Sequence, residues 1–110
     1  MSSLIIVESH NDKFFIEKLR DELGFANIQI EEPICNITDY ECLDGLSEKK
    51  LTLTLSEIKF DKYQKIGIII DADDKGIEDR IELVNACIKS LDEVPSDFQL
   101  TRINEFIKIE

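Results

Sequence analysis

The sequence predicts a Rossmann-like α/β fold: a parallel sheet of four strands with helices on both faces. Two apolar runs rich in β-branched residues, 4–7 and 66–70, have the composition of strands buried on both sides in a parallel sheet. A helical apolar pattern follows each run. Predicted strands and helices alternate along the chain, which is typical of a parallel sheet with right-handed crossovers.

The first strand and the first helix are predicted from the amino-terminal quarter of the chain. The apolar run 4–7 ends at Glu8, and Ser9 and the two residues after it are of the type that cap a helix. Gly24 is of the type that ends one. A broad helical stripe lies between them and consists of Phe14, Phe15, Ile16, Leu19 and Leu23.

The middle of the chain is ambiguous in its pattern. Residues 27–37 contain several isoleucines around a proline and predict a short second strand. In residues 47–58, leucines alternate as in a strand but also fit one face of a helix. Helix is favoured because Ser47 can cap it and because a crossover must precede the next parallel strand.

The last third predicts a third strand, a helix and a fourth strand. Residues 65–70 form the strand and end in Asp71. From Ile77 to Leu91, apolar residues recur at alternating steps of four and three, which indicates an amphipathic helix facing a core. The fourth strand is predicted from Phe98, Leu100, Arg102 and Ile103.

Composition indicates a single soluble domain over residues 1–110. No apolar run approaches the length that crosses a bilayer, and the amino terminus lacks a signal pattern, so we expect a cytoplasmic protein without membrane contact. Cys35, Cys42 and Cys87 match neither zinc-site nor disulfide-framework spacing. We expect reduced, mostly buried thiols.

The net charge of −11 arises from 24 acidic and 13 basic side chains. Such a charge repels phosphate backbones, and no basic stripe offsets it. A nucleic-acid or nucleotide partner would therefore require bound metal ions. A protein partner or a second copy of the chain is the alternative.

Acidic residues follow the two most apolar predicted strands. Glu8 and Asp71 stand at strand carboxyl ends, where sites in parallel sheets lie, and Asp73 follows two residues later. Clustered carboxylates repel one another unless a cation neutralises them, and hard divalent ions prefer oxygen ligands. The sequence therefore predicts a site for Mg²⁺ or Mn²⁺ at these three residues. The competing interpretation is that they are solvated turn formers or helix caps.

Two other acidic motifs fit the chain less well. The segment from Asp71 to Glu82 falls on the ligand positions of a calcium EF-hand, but Lys75 replaces an oxygen ligand and a strand precedes the loop. Haloacid-dehalogenase-like phosphatases also place Asp-x-Asp after a strand. No later Asp-Asp motif follows here, however.

Two segments carry a family resemblance. Residues 7–16, Val-Glu-Ser-His-Asn-Asp-Lys-Phe-Phe-Ile, have a strand followed by Glu, a short loop and an Asp before a helix. Residues 68–73, Ile-Ile-Ile-Asp-Ala-Asp, have a strand ending in Asp-x-Asp. These segments, with Gly45 between them, resemble the Toprim domain of primases, type II and type IA topoisomerases and OLD nucleases. The likeness is greatest to small stand-alone and OLD-associated Toprim-like proteins.

The resemblance implies a Mg²⁺-dependent nuclease or phosphotransferase. Glu8 would be a metal ligand or general acid/base, and Asp71 and Asp73 would hold the ion for phosphodiester chemistry. The chain departs from the family pattern at Ser9, where the family usually has Gly, and it offers no assignable Tyr nucleophile. The rival interpretation is a non-catalytic protein-binding or regulatory module that retains an acidic pocket.

Charged neighbours of these carboxylates are further candidates on the same rim. Lys13 and Lys75 are candidate phosphate partners, although charged residues at helix starts are more often simply solvated. His10 is a candidate contact for substrate or water, with helix capping as the alternative. Asp12 and Asp74 are weaker candidates for residues that support the metal ligands.

Overall fold

The computed structural model describes residues 2–35, 47–71, 76–91, 94 and 99–101. In chain order, the described elements are β1 (Ser2–Val7), α1 (His10–Leu23), β2 (Ile28–Ile30), α2 (Glu48–Ser56), β3 (Tyr63–Ile69) and α3 (Ile77–Lys89). A short 3₁₀ turn, Phe60–Lys62, precedes β3. Over these residues the sheet has three parallel strands in the order β2-β1-β3. The predicted α/β class and parallel sheet are confirmed.

The predicted fourth strand lies mostly outside the described residues. Its described part, residues 99–101, is not in a strand. α1 contacts β1 and β2. That helices cover both faces of the sheet stays a prediction. No helix of the described chain is long and apolar enough to cross a membrane.

The chain forms two compact units. The first comprises Met1–Leu46 and Lys59–Asp71 and contains the sheet and α1. The second comprises Ser47–Ile58 and Ala72–Glu110 and contains α2 packed on α3. That the two units make a single domain stays a prediction.

β1 is the central strand of the sheet. Its side chains at Leu4, Ile6 and Val7 are fully buried. Because successive side chains of a strand point to opposite faces, Ile6 and Val7 show that both faces of β1 are covered. This explains why residues 4–7 form an uninterrupted apolar run, and each such side chain contributes roughly 1.5–3 kcal/mol through burial.

Both ends of α1 are fixed by the residues that the sequence indicated. Ser9 is the N-cap, and Gly24, with φ of 75°, is the left-handed C-cap, whose backbone N–H donates to the Asp21 carbonyl over 3.3 Å. The Arg20 guanidinium donates to the Ile28 carbonyl over 3.3 Å and joins α1 to β2. No residue of α1 is buried. Much of its apolar stripe is exposed: Phe14, Phe15, Leu19 and Leu23.

β2 is shorter than the predicted segment, but the chain after it continues beside β1. The Glu31 amide donates to the Ile5 carbonyl over 3.0 Å, and the Cys35 amide donates to the Glu8 carbonyl over 2.9 Å. Pro33 has no N–H to contribute between them, which helps to explain why the regular strand stops at Ile30.

The cysteines correct one expectation. Cys35, held beside β1 by its backbone, is disulfide-bonded rather than reduced. Cys87 on α3 is free and fully buried, as expected. Cys42 lies outside the described residues.

The second unit confirms the helical interpretation of residues 47–58. The Ser47 hydroxyl accepts a hydrogen bond from the Lys50 amide over 3.2 Å and caps α2. Leu51 and Leu55, one turn apart, are buried. Of the four-and-three series, Val84 and Leu91 are buried as predicted, whereas Ile77, at the start of α3, is 50% exposed.

Candidate metal centre

The sheet brings the ends of β1 and β3 together. These strands are parallel neighbours, and Val7 stands opposite Ile69 in their register. Glu8 directly follows β1 and Asp71 comes two residues after the end of β3, so both leave the sheet at the same edge. Carboxyl ends of parallel strands are the usual place for sites in α/β proteins.

The Glu8 side chain reaches across this edge to β3. Its Oε1 atom accepts a hydrogen bond from the backbone N–H of Asp71 over 3.1 Å. Glu8 is half-buried, and Asp71 is exposed. An ionised carboxylate has several lone pairs, so accepting this bond does not by itself prevent it from binding a cation.

The third predicted ligand, Asp73, lies outside the described residues, as do Asp74 and Lys75. Among the residues with a described structure, no three His, Cys, Asp or Glu side chains are placed to hold a metal ion. The described part of the site is thus the pair Glu8 and Asp71.

The loop between β1 and α1 is closed by a capping box. The Ser9 hydroxyl accepts from the Asp12 amide over 3.3 Å, and Asp12 Oδ2 accepts from the Ser9 amide over 3.3 Å and the Ser9 hydroxyl over 2.9 Å. This geometry gives Ser9 and Asp12 a structural role.

Lys13 forms an ion pair across the edge of the sheet. Its Nζ atom lies 2.7 Å from Oε1 of Glu32, just beyond β2. Hydrogen bonding to the Glu32 carboxylate raises the pKa of Lys13, and bonding to the Lys13 ammonium lowers the pKa of Glu32. Part of the positive charge that Lys13 would offer to a phosphate is therefore offset. The sequence analysis missed Glu32, although it too follows a strand.

His10 begins α1, and its ring lies near that of Phe14, with centroids 6.4 Å apart and the planes tilted by 35°. This described contact is therefore between two side chains of the same helix. It assigns His10 no role at the carboxylate pair.

Comparison with known proteins places the chain in a family. The model of the family described as Protein of unknown function (DUF3226) matches residues 2–107. The chain belongs to this family. No curated protein and no solved structure matches it significantly.

The donor set of this DUF3226 chain suits a hard divalent cation. Glu8, Asp71 and Asp73 offer only carboxylate oxygens, the ligand type that Mg²⁺ and Mn²⁺ prefer. Mg²⁺ is commonly bound by one or two carboxylates together with water and substrate phosphates. The carboxylates of the two described residues, Glu8 and Asp71, are therefore chemically suited to such an ion. The family match does not itself assign the chain to the Toprim domain.

Proposed function

We propose that this DUF3226 chain is a Toprim-like protein that binds Mg²⁺ or Mn²⁺ through Glu8, Asp71 and Asp73. The ion would serve phosphodiester cleavage or transfer on a nucleic acid or a nucleotide. The single observation that carries the proposal is the hydrogen bond between the Glu8 carboxylate and the Asp71 amide. It brings together residues from two distant motifs, as the resemblance requires.

The resemblance to the Toprim domain gives each of the three residues a role. A bound divalent ion supplies polarisation of a phosphoryl oxygen and orients the attacking oxygen. Asp71 and Asp73 would bind the cation. Glu8, which is half-buried and accepts a hydrogen bond from the Asp71 amide, would bind the ion or accept a proton from the nucleophile.

The net charge of the chain limits which classes of substrate can bind. A net charge of −11 repels a long phosphate backbone, and Lys13 is already paired with Glu32. A nucleotide or a short single strand carries fewer phosphates and meets less of this repulsion. Such substrates are therefore favoured over a long duplex.

A second candidate function is supported by a different observation. The exposed phenylalanines and leucines of α1 are typical of an interaction surface, and they favour a protein-binding module. In that case the acidic edge would be retained without catalysis.

Activity assays on labelled single- and double-stranded DNA and RNA and on nucleotide phosphodiesters, with Mg²⁺ or Mn²⁺, test the proposed function. We expect ion-dependent product, which Asp73→Asn and Glu8→Gln abolish. Asp61→Asn, at an exposed position in the 3₁₀ turn, is the matched control and should retain activity. If no substrate reacts with either ion, the enzymatic proposal fails and the protein-binding function is favoured.

A further inference from the structure

The helix α1 carries an apolar row on its exposed side. Phe15, Leu19 and Leu23 recur at every fourth position and are 67%, 43% and 58% exposed. Phe14, in the neighbouring row, is 65% exposed. Soluble proteins seldom leave a contiguous apolar patch of this kind uncovered unless it binds something.

A different side of α1 already has its partner. Arg20 reaches the Ile28 carbonyl of β2, and the helix contacts both β1 and β2. The apolar row is therefore not the side by which α1 docks on the sheet. Its function needs another explanation.

The charges beside the row indicate what covers it. Lys18 and Glu22 are both exposed and stand in the same row as Phe14, next to the apolar one. If two copies of α1 are related by a two-fold axis near Leu19, each helix runs opposite to its mate. Lys18 of one copy then lies beside Glu22 of the other, and the pair forms twice.

The local charge also permits this approach. α1 has three basic and four acidic side chains, whereas the whole chain has a net charge of −11. Two copies that meet through α1 thus bring together helices of nearly balanced charge. Rows spaced by four residues also pack into one another, with the helices crossing at roughly −50°.

We propose that the exposed face of α1, built from Phe15, Leu19 and Leu23 and flanked by Lys18 and Glu22, is the two-fold interface of a homodimer. This inference does not depend on metal binding at Glu8 and Asp71. The dimer forms with the acidic edge intact or altered.

Sedimentation velocity of the full chain over a range of concentrations tests the interface. The wild type is expected to dimerise, and Leu19→Glu should raise the dissociation constant at least about tenfold. Leu53→Glu changes a leucine of similar exposure, 54%, on α2 and should leave the dimer unchanged. A wild type that stays monomeric, or equal effects of the two variants, would overturn the proposal.

Charge reversal tests the two-fold geometry and does not depend on the folding of Leu19→Glu. Lys18→Glu alone sets like charges opposite each other, as does Glu22→Lys alone, so each variant should dimerise more weakly than the wild type. Mixed together, they present complementary rows and should form a heterodimer in preference to either homodimer. A mixture that shows no such preference would overturn the antiparallel pairing.

Discussion

The carboxylate of Glu8 accepts a hydrogen bond from the backbone N–H of Asp71, a residue 63 positions later in the chain. This bond joins the carboxyl ends of β1 and β3 at the edge where the candidate metal centre lies. Glu8 thus holds two strand ends together and is also a proposed metal ligand. The two roles are separable by substitution.

Replacing Glu8 distinguishes its structural role from its charge. Glu8→Ala removes the acceptor for the Asp71 amide and is expected to lower the free energy of unfolding by about 0.5–1.5 kcal/mol. Glu8→Gln keeps an acceptor oxygen and should change it by less than about 0.5 kcal/mol. Urea denaturation in the presence of a chelator measures both. Equal stability of the two variants would show that the hydrogen bond contributes nothing.

Two glycines should respond in opposite ways to alanine. Gly24 ends α1 at a φ of 75°, where a Cβ is strained, so Gly24→Ala is expected to cost roughly 1–2 kcal/mol of stability. Gly67 in β3 is outside the positive-φ region, and no neighbouring atom lies within 4 Å of the place that a Cβ would occupy. Gly67→Ala should be neutral or stabilise by up to about 1 kcal/mol. Thermal unfolding that shows the reverse order would contradict this account.

Sequence patterns predicted most elements of the first unit, because the local preferences of the residues there agree with their positions in the fold. Ser9 and Gly24 bound α1 where their cap chemistry indicated, and the apolar run 4–7 is the central strand. Pairing of Glu8 with Asp71 followed from the rule that parallel strands share an edge. The contact from Lys13 to Glu32 could not be predicted, since it depends on where the chain after β2 returns.

Other features of the structure cannot be predicted from the pattern of apolar residues. The exposure of Phe15 and Leu19 depends on which side of α1 meets the sheet, and periodicity does not settle that. The disulfide at Cys35 depends on the path of the chain in space, and the spacing of the cysteines gave no indication of it. The position of Asp73 in the site stays a prediction.

Asn85 anchors the segment near Leu100 to α3. It is 8% exposed, and its side chain donates to the Leu100 carbonyl and accepts from the Leu100 amide, both over 2.8 Å. Asn85→Ala leaves both backbone groups without these partners and should cost about 1–3 kcal/mol of stability. Ser90→Ala removes only the exposed hydroxyl's bond to the Cys87 carbonyl and is the control, within about 0.5 kcal/mol. Matching denaturation midpoints for the two variants would contradict this role.

The buried thiol of Cys87 should make stability fall at alkaline pH. Burial raises the pKa of this thiol above its value in the unfolded chain. The stability that the neutral, buried thiol contributes is therefore complete below the pKa of the unfolded chain, which is near 8.5 as in model peptides. This stability is lost as the pH rises from there through the pKa of the folded chain. Urea denaturation from pH 7 to pH 10 should show a steeper loss in the wild type than in Cys87→Ala. Parallel profiles would contradict the prediction.

Binding of Mn²⁺, measured by electron paramagnetic resonance and calorimetry, tests the central claim most directly. The wild type is expected to bind a single ion per chain, and Glu8→Gln, Asp71→Asn and Asp73→Asn should each weaken binding at least about tenfold. Asp61→Asn should bind as the wild type does. If the wild type binds no ion, or the three site variants bind as tightly as the control, these carboxylates do not form a metal centre.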